Sequence, residues 1–169
     1  DTKLQVNDGN VIFKQDTWDG IDQSTTYGEI PPMGTGSRFM WIPQRASLRA
    51  GAVEDGAGKA AGGQSMSATA WDDLHVGQAS IAIGANADAK NYSTAIGYKT
   101  TAGKLTYSNT LNPLSPAVQF NYNKSVAIGY DVYNPSTYGT AIGSEIVMSG
   151  SQIRQYYATS IGYEITNSS

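Results

Sequence analysis

The sequence predicts an all-β protein, a parallel β-solenoid of short coils that assembles with copies of itself. Three observations carry that expectation. A five-residue pattern ending in Ile-Gly recurs five times in the second half of the chain, the recurrence interval is short, and both faces of the recurring segment are apolar. Composition agrees: of 169 residues 19 are glycine and 11 tyrosine, while only 15% are charged, against about 25% in an ordinary soluble domain. Such a balance favours strands and turns over helices.

The five copies are Ser80 to Gly84, Ser93 to Gly97, Ser125 to Gly129, Gly139 to Gly143 and Ala158 to Gly162. Their closing pairs are Ile83-Gly84, Ile96-Gly97, Ile128-Gly129, Ile142-Gly143 and Ile161-Gly162. Successive glycines lie 13, 32, 14 and 19 residues apart. The short intervals define the unit and the long ones read as units carrying insertions. A unit of this length is too short for a helical hairpin or a propeller blade but suffices for two short strands and two turns. Repeat strands then pair in parallel from coil to coil, which satisfies the backbone between coils. The terminal glycine is expected to supply a positive φ or a close backbone approach where the coil turns. In the best-kept unit Asn91 is expected at a second turn.

Side chains alternate along a strand, so the Ala and Ile positions of each copy point in opposite directions, yet both are apolar or small in every copy but that of Ser160. A narrow coil has one interior. The other apolar face therefore needs an external partner, and the simplest is the same face of another copy under closed rotational symmetry.

The pattern resembles the YadA-like head repeats of trimeric autotransporter adhesins, close to S-x-A-I-G-x-x-A-x-A, carried most fully from Ser80 to Thr100 and overall from about residue 77 to 166. The resemblance implies a left-handed parallel β-roll, a homotrimer, an extracellular or bacterial cell-surface location, and adhesion to an extracellular matrix protein or a glycan. The insertions after Gly97 and Gly143 depart from the family's pattern. Ser47-Leu48-Arg49-Ala50-Gly51 reads as a degenerate coil. The expected division is an N-terminal hairpin and cap region over 1–46, then a β-roll head over 47–169 with insertions at 102–123 and 147–157.

Lys3 to Lys14 alternates apolar residues around Asp8-Gly9, a hairpin signal, and Gly51 to Gly63, with five glycines, reads as a loop. Trp18, Trp41 and Trp71 are expected to plug the end of the coil stack, where unpaired strand edges need cover.

A formal net charge of −3 with no basic run removes the footprint of a nucleic-acid binder. Without cysteine there is no disulfide framework, thiol nucleophile or thiolate metal site. No apolar stretch is long enough for a membrane span, and with no leader pattern ahead of Asp1 the chain reads as a mature, soluble segment. Chemistry-bearing motifs fail on inspection. His75 beside Asp72 and Asp73 has no nucleophile placed by a motif; the glycines before Lys59 lack the phosphate-loop Gly and Ser/Thr, where Val53 and Ala60 stand; Asp16, Asp19 and Asp22 are too widely spaced for a calcium loop. Asn86, Lys99, Asp131, Glu145 and Glu164, at outer positions after each glycine, show no acid pairing in the sequence. No enzyme, catalytic residue, cofactor or metal is expected. The function is read as a trimeric adhesin or surface-fibre head, with a phage-like or injection-system tail fibre as alternative and a carbohydrate-active β-helix enzyme ranked behind.

Tyr98, Tyr130 and Tyr163 each directly follow a repeat glycine. Coils in register stack them in one row, broken at Ser144, and with Lys99 they form the candidate ligand-binding flank. The 102–123 insertion is a second place for recognition.

Overall fold

The computed structural model describes residues 34–54, 71, 76–103, 106–107, 118–119, 124–149 and 157–168. The expected hairpin at Lys3–Lys14, Trp18, His75 and most of both insertions lie outside them. Among the described residues the molecule is all-β, without an α-helix. Its strands are β1 (Gly36–Ile42), β2 (Ser47–Val53), β3 (Ile81–Ala85), β4 (Asp88–Ala89), β5 (Thr94–Tyr98), β6 (Thr101–Ala102), β7 (Thr106–Tyr107), β8 (Val118–Gln119), β9 (Val126–Asn134), β10 (Thr140–Ser149), β11 (Thr159–Tyr163) and β12 (Thr166–Ser168). All but β7 and β8, which pair with each other, join one curled, open sheet of ten strands whose main path runs β1-β2-β3-β5-β9-β10-β11.

From β2 onward that path is parallel and in register. Ile96 pairs with Ile83 on one side and Ile128 on the other, and Ile142 pairs with Ile128 and Ile161. Ser47 to Gly51 takes the same register, with Gly51 opposite Gly84. One hydrogen bond recurs at every step: the N–H three residues before each repeat glycine donates to the next unit's carbonyl, as from Leu48 to Ser80, Ile81 to Ser93, Thr94 to Ser125, Val126 to Gly139 and Thr140 to Ala158, over 2.8–3.0 Å.

The repeat glycines hold φ between 124° and 144° from Gly84 to Gly162, a region closed to other residues in practice. Space forbids a side chain as well. A Cβ on Gly129 would sit on the carbonyl oxygen of Gly143 in the next unit, and Gly51, Gly84, Gly97 and Gly143 meet the same obstacle. Close backbone approach and positive φ thus act together at one column.

Before the kink, alternation sorts the side chains. Ala82, Ala95, Ala127 and Ala141 are fully buried and face Ala87, Val132, Ile146 and Met148 across a thin core. From Ala82 to Ser160 the inward positions of the first strand hold only small side chains, so the volume of this core comes from the opposite wall. Ser47, Ser80, Ser93 and Ser125 form a buried ladder beside the alanines, with Ser93 Oγ 3.1 Å from Ser125 Oγ.

The stack is closed at its β1 end by polar groups. Arg49 occupies the alanine position and is completely buried. Its guanidinium donates to Ala89 O at 2.9 Å, to Ser80 Oγ at 2.9 Å, and to the carbonyls of Leu48 and Ser80. Burial draws its pKa down to about 10, which the nearby Asp88 carboxylate opposes and the Arg45 charge reinforces. The Ser80 and Ala89 carbonyls thus accept from Arg49 as well as from the backbone N–H groups of Leu48 and Gly77, so the buried charge is surrounded by acceptors. Trp71, 1% exposed, completes the plug and donates from Nε1 to Ala87 O at 2.7 Å. Trp41 does not: it lies on β1 and is 41% exposed. β1 itself runs antiparallel to β2 through the turn at Pro43–Arg45.

Three boundaries differ from the sequence reading. Gly51–Val53, expected as loop, continues β2 because Gly51 carries the repeat kink. Ala102 belongs to β6, and Val147 to Ser149 pair with Thr166 to Ser168, so the regular units reach further before each insertion. Asn91 does lie in a turn, but the left-handed residue there is Tyr92, at φ 57°. Asn91 is buried and its Oδ1 accepts from Gln78 N at 2.8 Å.

Gly129→Ala is expected to destroy the fold or lower stability by roughly 3 kcal/mol or more, because backbone must move. Gly162→Ala, whose Cβ meets only the Ile165 side chain, 3.1 Å from Cδ1, is expected to cost about 1–2 kcal/mol, mainly from φ strain. Urea unfolding followed by circular dichroism ranks the two, and equal losses would refute the close-approach account.

Candidate functional site

Among the described residues, the eleven non-glycine residues with positive φ all fall on two columns of the repeat. Five lie two residues after a repeat glycine: Asn86, Lys99, Asp131, Glu145 and Glu164, at φ 50° to 55°. Six lie five residues before one: Ala46, Ala79, Tyr92, Lys124, Tyr138 and Tyr157, at φ 42° to 61°. Bulky side chains avoid this region, so recurrence in unit after unit marks a geometric demand of the repeat and no accident of one loop. The two columns are its corners, one at each end of the first strand.

The expected tyrosine row stands at the first corner. Tyr98, Tyr130, Ser144 and Tyr163 are register partners. Tyr98 and Tyr130 stack with centroids 5.4 Å apart and planes 18° from parallel, and Lys99 Nζ lies 5.3 Å from the Tyr98 ring centre. The Tyr98 hydroxyl donates to Glu54 Oε2 at 3.4 Å, and Glu54 is held by Asn86 Nδ2 at 2.8 Å. Tyr163 stands apart beyond the Ser144 gap and is exposed. All four residues proposed for ligand contact, Tyr98, Lys99, Tyr130 and Tyr163, thus share one edge.

A second aromatic column stands at the other corner. Tyr138 and Tyr157 stack at 5.2 Å and 14°, with Lys124 Nζ 5.3 Å from the Tyr138 ring centre. Its signal is plain once the frame is known, since each of these residues precedes its glycine by five. Reading outward from the Ile-Gly core in the other direction hid it.

The register also corrects the reading of the acids. Asp131, Glu145 and Glu164 occupy equivalent positions in successive units, about 4.8 Å apart along the column. They form a ladder of negative charge below Lys99. Among the described residues no cluster of histidine, cysteine and carboxylates is arranged to hold a metal, and no helix is long and apolar enough to cross a membrane.

Comparison of the chain with family models, curated proteins and solved structures found no match. What remains is chemistry. Stacked rings with adjacent lysine charges offer flat apolar area, hydroxyls and little rotamer freedom to lose.

Tyr163 has its phenol pKa raised from 10.0, first through its hydrogen bond to Glu164, then through the Glu145 charge and desolvation. Its protonated form is favoured in the folded state, so this contribution is complete below the unfolded pKa and fades as pH rises through the folded one. In an ultraviolet titration, the component lost in Tyr163→Phe is expected to have its midpoint above the ordinary value, and Glu164→Gln to lower it. An ordinary midpoint would contradict the contact.

Proposed function

We propose that the chain is a parallel β-roll that assembles as a homotrimer and serves as a non-catalytic head or fibre module of an extracellular or bacterial-surface adhesin. One observation carries the reading: the outward face of the first strand is lined by aliphatic side chains and threonine, and among the described residues its large apolar side chains stand partly exposed. Its columns run Phe39, Ala50, Ile83, Ile96, Ile128, Ile142, Ile161 and Trp41, Leu48, Ile81, Thr94, Val126, Thr140, Thr159. Phe39 is 69% exposed, Ile161 66%, Ile81 40% and Ile142 36%.

The strip is about 30 Å long, from seven strands about 4.8 Å apart, and about 13 Å wide. A strip of roughly 400 Å² has the size of the largest apolar patch on an ordinary monomer, which is often a functional surface, and covering each large side chain gains about 1–2 kcal/mol. Rotation about an axis parallel to the stack brings equal heights together over its full length. Three chains is the number that the resemblance of the repeat to YadA-like head repeats implies. Adhesion is supported by the exposed tyrosine corners on a frame with no chemistry-bearing cluster among its described residues, and a matrix protein or a glycan fits such a flank.

Light scattering is expected to give three times the 17.9 kDa chain mass. Ile96→Asp or Ile128→Asp is expected to abolish assembly, because the introduced carboxylate stays unpaired on a dry face; a stable monomer from the unmodified chain would overturn the reading.

Replacing Tyr98, Tyr130 and Tyr163 together by Ala is expected to leave that mass unchanged and weaken attachment to immobilised matrix protein or glycan about tenfold or more. Unchanged attachment to both would move recognition away from this row.

A further inference from the structure

Equal heights meet under the symmetry just proposed, and that places the two corners of neighbouring chains side by side. The apolar strip is bounded at one edge by Tyr92, Lys124, Tyr138 and Tyr157 and at the other by Tyr98 and Lys99, Tyr130 and Asp131, Ser144 and Glu145, Tyr163 and Glu164. Around a three-fold axis the first edge of each chain abuts the second edge of the next. Taken unit by unit, the facing groups are Tyr92 with Lys99, Lys124 with Asp131, Tyr138 with Glu145, and Tyr157 with Glu164. No level sets like charges against each other, and one sets a lysine against a carboxylate.

We propose that Lys124 of one chain pairs with Asp131 of the next, closing each seam of the trimer. The Tyr98, Tyr130 and Tyr163 row is then one wall of a groove whose opposite wall, Tyr138 and Tyr157, belongs to the adjacent chain. This rests on the trimer reading and deepens it: the candidate binding surface is composite and incomplete in a single chain. Within one chain the pair cannot form, since Lys124 and Asp131 stand at opposite ends of the first strand of their unit, roughly 20 Å apart for seven residues of extended backbone. Any communication between them is therefore intermolecular.

Charge reversal tests it. Both corners tolerate the exchange, because Lys99 already occupies the Asp131 position at φ 51° and aspartate is among the residues most at ease in the left-handed region. Sedimentation equilibrium over a dilution series measures the concentration at which trimers dissociate. Lys124→Asp and Asp131→Lys are each expected to raise it about tenfold or more, by setting like charges together at three seams, and less so in high salt. The double variant restores opposite charges at every seam and is expected to return within about twofold of the parent. As a second measurement, Lys124→Cys with Asp131→Cys, in a chain with 0 cysteines of its own, is expected to give covalent trimers with a short bismaleimide. Single reversals without effect, a double variant no better than the singles, or cross-linking that yields only monomers would overturn the pairing while a trimeric parent left the assembly reading standing. A parent chain monomeric at every concentration would remove both.

Discussion

Everything in this molecule hangs on the contact between successive repeat glycines. Each brings its Cα so close to the next unit's carbonyl that no side chain fits, and each holds a φ that favours glycine. That contact fixes the register of the whole stack, because a slip by one residue would put a Cβ onto a carbonyl oxygen at every level and would turn the alanine face outward. It also sets the corner: the kink at glycine redirects the chain so that the residue two positions on takes the left-handed conformation and the following strand faces back toward the alanine column.

A core this thin carries consequences for its ends. Alanine is tolerated in the middle because each methyl is covered by alanine-bearing units above and below, whereas the β2 unit is flanked on its far side by the antiparallel β1 and not by another coil. Arg49 fills that position with a long side chain whose donors reach the Ser80 and Ala89 carbonyls, which also accept from Leu48 N and Gly77 N. The desolvation that lowers its pKa is the cost of the arrangement, and four hydrogen bonds to oxygen offset it. Trp71 supplies the volume that Arg49 lacks, so the plug divides its work between a donor and a space filler.

The sequence made the repeat, its parallel register, the glycine kink and the Tyr98, Tyr130 and Tyr163 row legible, because each depends on residues a fixed distance from the Ile-Gly pair; that alanine and not isoleucine faces inward was not, since both faces of the strand are apolar. The degenerate unit at Ser47 to Gly51 was legible for the same reason. Arg49 was not, since charge at a core position breaks the pattern that identifies the core, and its acceptors Ser80 and Ala89 lie 31 and 40 residues away in the chain. Trp41 was misplaced as a plug because a strand antiparallel to the stack leaves no periodic trace. Tyr138 and Tyr157 escaped notice because they sit before the pattern begins, and the acid ladder because residues 14 and 19 positions apart in the chain become neighbours only when the units are stacked.

The corners show how the frame separates structure from recognition. A side chain in the left-handed region costs on the order of 1 kcal/mol unless it is glycine, asparagine or aspartate, yet tyrosine, lysine and glutamate hold most of these positions. If conformation alone chose the residues, Asn86 and Asp131 would be the rule at one corner and glycine at the other. The stacked backbone already determines φ there, so the strain is accepted and the side chain is free to answer to what lies outside. From Tyr92 and Lys99 onward, aromatic or charged groups hold these positions in each unit. Whatever approaches the stack from the side meets the corners first, and there the sequence departs furthest from what folding alone would select.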